Sequence, residues 1–394
     1  MKNAGLLLLA ALLCLGAYGL GSLNARKVIE LPPVEWAQHS DAAQAWREFT
    51  VSLEAAAARI YQGEVPAPEQ TEGLQYLSQL AAASLEMKLA RGDREVPQFT
   101  DWMSDYRRFL GDSPDAIYHT AEISHEYRYR ISGNRGAARY LGFMLYGRQL
   151  NGWNRAAANL SSASLRFDEQ GDFSILLSAE PPADGQDWLQ LEEDVHMVMV
   201  RQYYHERKDS ETARFSIRNL DAAAVPAPMT DAVVAERLRA ATGFFNATVD
   251  GAVALADMLA DAPNTTEPPA RYSADFGGVF YPTFDNQYFG GWFKLAADEA
   301  LVIEGEVPDA PYWSVSLQNR WLQSLGGSAQ QSALNDQQIV TANGRYRLVV
   351  SHVRPPGENW LDTGGREQGL LAIRYQLAAD SEPPQLRVVK LDAL

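Results

Sequence analysis

The chain has 394 residues, 46% of them apolar and 21% charged, a balance that excludes a disordered polypeptide and leaves room for two or three domains. A formal charge of −16 with no Lys/Arg-rich run argues against a nucleic-acid partner, because phosphate binding needs a basic footprint. The single cysteine, Cys14, lies in an apolar N-terminal run, so the mature chain is expected to hold no disulfide and to do no thiolate chemistry.

In chain order, Lys2 precedes an uncharged run from Asn3 to Asn24 whose apolar heart is Leu6 to Leu13. Residues 1–25 therefore read as a signal peptide or an N-terminal membrane anchor. The cleaved signal is favoured, with Ala17, Gly19 or Ala25 as small residues for the peptidase. The expected location is the periplasm, or the periplasmic face of the inner membrane if the segment is kept. Leu13 before Cys14 does not suit a lipoprotein signal.

A helical segment is expected over 40–116, with Ser40-Asp41 capping a helix from Ala42 to Tyr61. A second helix is expected from Glu72 to Ala90, with Leu74, Leu77, Leu80, Leu85 and Leu89 as a packed stripe. Over 117–221 the pattern changes to short alternating runs: 126–131, 140–146, 164–167, 173–177, 196–204 and 213–217. Pro226-Ala227-Pro228 reads as a linker, and helical spacing returns within 229–262. A second strand series fills 285–394, at 300–303, 312–317, 338–341, 346–351, 370–377 and 386–389. The fold class expected is mainly β with helical insertions, as two repeated antiparallel sandwich or jelly-roll-like units.

The two series repeat one another. Gly171 to Gly344 and Arg201 to Arg374 both span 173 positions, and Tyr140 to Tyr312 and Arg148 to Arg320 span 172. Ser178, Trp188-Leu189 and Pro181-Pro182 meet Ser351, Trp360-Leu361 and Pro355-Pro356, and Asp115-Ala116-Ile117-Tyr118 meets Asp285-Asn286-Gln287-Tyr288. Tyr312 to Leu317, Gly344 to Val350, Pro356 through Asn359-Trp360-Leu361, and Leu371 to Tyr375 resemble the bacterial domain of unknown function numbered 1214. The resemblance is good in the C-terminal repeat and weaker in the first β unit, where Gln186-Asp187-Trp188-Leu189 departs from it. It implies a bacterial, often exported protein with a β-sandwich fold, and it carries no activity onto any position.

Chemical motifs are sparse. The six histidines, His39, His119, His125, His196, His205 and His352, form no His-Glu-X-X-His pair, and neither a phosphate-binding Gly-Lys-Ser/Thr loop nor Gly-X-Ser-X-Gly occurs. No metal and no cofactor are expected. His196 and His205 flank one strand and read as satisfied or solvent-facing. Arg201 and Arg374 sit at matching places in apolar strands. Each either holds a loop carboxylate or carbonyls, or binds an anionic ligand. Because both copies keep them, the scaffold reading is favoured, as it is for Trp188 and Trp360 at the sandwich ends.

Unmatched residues are the stronger binding candidates: His352, Trp313, Asn319 and Trp321 stand where the first copy has Ala179, Leu141, Gly147 and Gln149. Tyr281, Tyr288, Trp292 and Phe293 add an aromatic cluster around Gly290-Gly291, with Phe293 read as core. The expected role is non-catalytic binding of a neutral small molecule or glycan at the cell envelope, with no nucleic-acid partner and with membrane contact only through an uncleaved N-terminus. Two alternatives stay open: a hydrolase or lyase using His352 with a carboxylate such as Asp285, Asp298 or Glu299, and a structural protein-binding envelope factor.

Overall fold

Ser40 opens the first helix, α1 (Asp41–Gln62), by accepting the Ala43 N–H on its hydroxyl at 3.1 Å. The structure is a computed structural model. It describes residues 34–394 apart from 64, 150–153, 207, 209–210, 222–224, 227, 268–279, 282, 326–330, 358 and 379–380, so the expected export segment and part of the Pro226-Ala227-Pro228 linker lie outside the described residues. Among the described residues no helix is long and apolar enough to cross a membrane.

Helix α2 (Ala67–Ser84) begins behind Pro66 and passes directly into a π-helical turn, Leu85–Ala90. This corrects the expected stripe. Gly73, Tyr76, Leu77, Leu80 and Ala83 form the buried face, Leu74 is 39% exposed, and the turn brings Met87 and Lys88 inward. Gly73 costs helix propensity but has a packing reason: a Cβ there would meet the Trp321 ring at 2.7 Å and Ile60 Cδ1 at 2.8 Å. The long helix α3 (Asp231–Ala260), capped by Thr230, is buried along Ala241, Phe245, Val249, Ala252, Leu255 and Leu259.

The strands are β1 (Thr100–Asp101), β2 (Ala116–Glu122), β3 (Tyr129–Asn134), β4 (Tyr140–Arg148), β5 (Asn154–Ser161), β6 (Asp172–Ser178), β7 (Asp187–Gln190), β8 (Val195–Tyr203) and β9 (Arg214–Asn219) in the first unit. The second unit has β10 (Thr266–Glu267), β11 (Asn286–Lys294), β12 (Glu299–Glu306), β13 (Tyr312–Gln318), β14 (Ala333–Asn335), β15 (Thr341–Ala342), β16 (Arg345–Ser351), β17 (Trp360–Asp362), β18 (Gln368–Gln376) and β19 (Gln385–Lys390). Sheet I runs β1-β2-β8-β4-β5 and sheet III runs β10-β11-β18-β13-β14, the same order of equivalent strands. Sheet II runs β7-β6-β3-β9; sheet IV runs β15-β16-β12-β19 with β17 beside β16. Pairing is antiparallel except for β6 with β7 and β16 with β17, again equivalent positions.

Sheets I and II enclose one core and sheets III and IV another, so each unit is a β-sandwich. Alternation along the central strands shows why sheets I and III are apolar on both faces. In β8, Val198 and Val200 enter the sandwich core while Met197, Met199 and Tyr203 enter a third, central core; in β18, Leu371 and Ile373 point inward while Leu370 points to that same central core. All three helices contribute to the central core, which joins the two units.

Two expected strands are turns. Ser164 and Leu165 donate back to the Ser161 carbonyl, and Gln338 and Ile339 to that of Asn335, so 164–167 curls to insert Leu165, and 338–341 curls to insert Ile339 and reaches a strand only at Thr341. Strands β1, β2, β5, β7, β10, β11, β14 and β17 fall outside the expected strands.

Candidate binding cavity between the repeats

The outward faces of sheets I and III, facing each other across the central core, leave a cavity of about 390 Å³. Its floor is built from equivalent cross-strand pairs, Tyr118 beside Arg201 on β2 and β8 and Tyr288 beside Arg374 on β11 and β18. Apolar side chains close most of the rest, among them Trp102, Met199, Leu255, Leu322 and Leu370. Its volume falls within the roughly 300–1,000 Å³ usual for small-molecule sites.

Each arginine reaches across to the other repeat. Arg201 Nη2 donates to the Tyr281 carbonyl at 2.6 Å and to the Tyr146 hydroxyl at 2.9 Å. Arg374 Nη2 donates to the Gly111 carbonyl and, at 3.3 Å, to that of Asp112, while its Nη1 donates to Ser316 Oγ at 3.2 Å. Gly111 and Tyr281 are 170 positions apart, as are Tyr118 and Tyr288. Both are left-handed, with φ of 72° and 50°. Leu110 and Leu322, also on the cavity wall, have φ of 52° and 56°. For bulky residues this conformation costs on the order of 1–3 kcal/mol each and concentrates at functional sites.

Arg201 and Arg374 are 6% and 5% exposed, and among the described residues neither forms an ion pair. The groups that accept from them are neutral carbonyls and hydroxyls. Burial pushes the Tyr146 hydroxyl up to about 12 against the pull of Arg201, and burial likewise raises Tyr118 against the pull of Arg374 and Arg201. Asp112, the carboxylate whose field reaches Arg374, is itself raised by burial, with Ser324 and Arg108 drawing it back. Three buried acceptors on the wall, Gln318 Oε1, Asn286 Oδ1 and Thr283 Oγ1, have no hydrogen-bond partner among the described residues.

Beside the cavity the repeats exchange a clasp. Tyr140 donates to Asp285 at 2.7 Å and Asn159 to the same oxygen at 3.0 Å; Tyr312 donates to Asp115 at 2.7 Å and Asn335 to that oxygen at 3.0 Å. Within each repeat the same aspartate is also held by its backbone, with Tyr204 N to the Asp115 carbonyl at 3.0 Å and Leu377 N to that of Asp285 at 2.7 Å. One contact is not duplicated: His205 Nε2 reaches both oxygens of Asp336 at 3.0 Å.

Of the sequence candidates, Tyr288 and Tyr281 line the cavity. Trp292 is buried in the central core under Arg320, and Trp321 is packed on Tyr76 with its indole N–H on the Glu69 carbonyl at 2.7 Å. Asn319 ties the 319–323 turn by accepting from Trp321 N and Gln323 N. Trp313 and Phe293 belong to the second sandwich core. His352 Nδ1 bonds Thr363 Oγ1 at 2.9 Å, so its hydrogen-bond partner is a hydroxyl and not a carboxylate. Asp298 and Glu299 pair with Lys390 at 2.9 and 3.3 Å, and Asp285 belongs to the clasp. Trp188 and Trp360 donate to Ser178 and Ser351, each hydroxyl at 3.0 Å. No group of three His, Cys, Asp or Glu among the described residues is placed to hold a metal.

Sequence reasoning missed Tyr118, Met199, Tyr203, Leu255 and Gln318 as wall residues. The Tyr118–Tyr288 match is visible in the sequence, yet only Tyr288 of that pair stands among the binding candidates, and the matched pair Arg201 and Arg374 is assigned to scaffold although both line the cavity.

A profile described as "Protein of unknown function (DUF1214)" matches residues 117–207 and 280–379. The chain is similar to a crystal structure of an uncharacterised protein from Burkholderia cenocepacia, with 29% identity over 92% of this chain and 100% of that one, at a TM-score of 0.84. A protein from Vibrio parahaemolyticus matches at 14% identity over 80% of this chain and 97% of that one, at a TM-score of 0.47. No curated protein matches the chain.

Proposed function

Since residues 117–207 and 280–379 both belong to the domain of unknown function 1214 family, we propose that the paired repeats form one non-catalytic binding site for a small molecule, in the cavity between sheets I and III. The observation that carries this reading is the largely apolar cavity between the repeats with two buried arginines on its floor. Among its described wall residues the titratable groups are Arg201, Arg374 and tyrosines, none of which exchanges a proton readily near neutral pH, so the wall supplies binding and not acid–base catalysis. The hydrolase reading required His352 beside a carboxylate, and its Thr363 partner does not support that. The glycan reading loses support too, because an apolar wall cannot satisfy many hydroxyls. Export through residues 1–25 is part of the proposal, tested by N-terminal sequencing of protein recovered from the periplasm.

The test is a thermal-shift screen of neutral, cationic and anionic small molecules, since a ligand that binds only the folded state raises Tm. Ala372 lines the cavity, and Ala372→Trp or the milder Ala372→Leu should abolish the shift while keeping a cooperative melt. An undiminished shift in a folded Ala372→Trp protein would place the ligand elsewhere and overturn the reading.

A further inference from the structure

We propose that the cavity takes an amphipathic anion, a single negatively charged head held by Arg201 and Arg374 with an apolar body lying against Met199, Leu255 and Leu370. This inference rests on the binding reading above and adds the ligand's chemistry. A guanidinium cannot shed its proton at physiological pH, so burial at 6% and 5% exposure keeps two charges inside the protein. Taking such charges out of water is costly unless they are paired. The carbonyls of Tyr281, Gly111 and Asp112 and the hydroxyls of Tyr146 and Ser316 satisfy individual N–H groups without neutralising the charge. Asp112 pulls on Arg374, while among the described residues the hydrogen-bond partners of Arg201 are a hydroxyl and a carbonyl, which leaves a site suited to one added negative charge.

Position supports the same conclusion. Both arginines border one cavity, and the hydroxyl of Tyr118 lies in the field of both. Arginine presents planar pairs of donors that fit a carboxylate edge. The carbonyls of Tyr281 and Gly111, both in left-handed conformation, hold the two side chains, so the charges are positioned before a ligand arrives. Beyond that floor the wall is largely apolar, with Thr283, Asn286 and Gln318 as its polar points, which disfavours a small hydrophilic anion and suits an alkyl or aromatic body.

The experiment compares decanoate, decan-1-ol and decylamine on the full chain by calorimetry, with octanoate and 1-naphthoate varying the body. Decanoate is expected to bind at least tenfold more tightly than decan-1-ol, and decylamine not at all. Arg201→Met should lower decanoate affinity at least tenfold with little effect on decan-1-ol. Because that variant also removes a bond between the repeats, Tyr288→Phe, expected to weaken decanoate modestly, serves as a gentler companion. Equal binding of decanoate and decan-1-ol would overturn the charged-head inference while leaving the cavity reading intact. Decanoate bound equally well by a folded Ala372→Trp protein would overturn both. Silence from decanoate, octanoate and 1-naphthoate alike would overturn the inference.

Discussion

His196 sits on β8 beside the Lys88–Glu122 ion pair, whose side chains are only 7% and 12% exposed. Burial lowers the imidazole pKa to about 4, against the upward pull of Glu122 and with Lys88 adding to the fall. A histidine depressed in this way is neutral in the folded protein, while the unfolded chain takes up its proton near pH 6.5. Stability is therefore present above about pH 6.5 and declines as pH falls toward 4, by roughly 3 kcal/mol in all at 1.36 kcal/mol per pKa unit. Urea unfolding at stepped pH should show His196→Gln with a shallower acid decline than the parent; identical slopes would refute the assignment. Nothing in the sequence marked His196 apart from His205, since burial comes from Lys88 on the π turn and the neighbouring strands, distant in the chain. His205, read as satisfied or solvent-facing, bonds Asp336 across the repeats, a contact 131 positions long that spacing does not reveal.

At the scale of elements, the repeat in the sequence corresponds closely to the strands: β6 and β16, and β8 and β18, differ by 173 at both ends. Strands with Val, Ile and Tyr in alternation were legible. Two kinds were not. Strand β5, Asn154–Ser161, is built on Ala and Asn with weak β preference and is fixed by its neighbour β4. Strand β11 carries Gly290-Gly291 because edge strand β10 approaches there; a Cβ on Gly291 would stand 2.5 Å from the Thr265 carbonyl. The exchanged clasps give this scale its prediction. Tyr140→Phe and Tyr312→Phe each remove one hydrogen bond to a partly buried carboxylate, and each is expected to cost about 1–3 kcal/mol in chemical denaturation. Similar losses would show that the two clasps carry comparable weight; a cost confined to one would show that the repeats do not share the joint equally.

On the scale of the molecule, each sandwich has its own core, yet the largest buried side chains of the joint, Trp102, Tyr140, Tyr203, Trp292 and Tyr312, are covered only when both units and the helices are present. A chain of residues 231–394 alone would expose Trp292, Tyr312, Trp321 and Leu370 to water, each costing about 1.5–3 kcal/mol. It is expected to be insoluble by itself, and to yield a soluble complex when produced together with residues 34–230. Independent, monomeric folding of residues 231–394 would contradict the shared core. The candidate cavity was legible in the sequence only in part, because the rule that set shared residues aside as scaffold is sound for a sandwich interior but fails at a surface where two copies meet.

The crossed contacts, Arg201 to Tyr281 with Arg374 to Gly111, and Tyr140 to Asp285 with Tyr312 to Asp115, are those of an isologous dimer held within one polypeptide. In a true homodimer any change would appear twice, on both sides of the symmetry axis. Here the axis is only approximate. Asp336 follows Asn335 where Leu160 follows Asn159, so the histidine contact exists on one side alone. A ligand seated on that axis meets two unequal halves, Met199 from one and Ala372 from the other, and can bind in a single orientation where a symmetric pair would offer two.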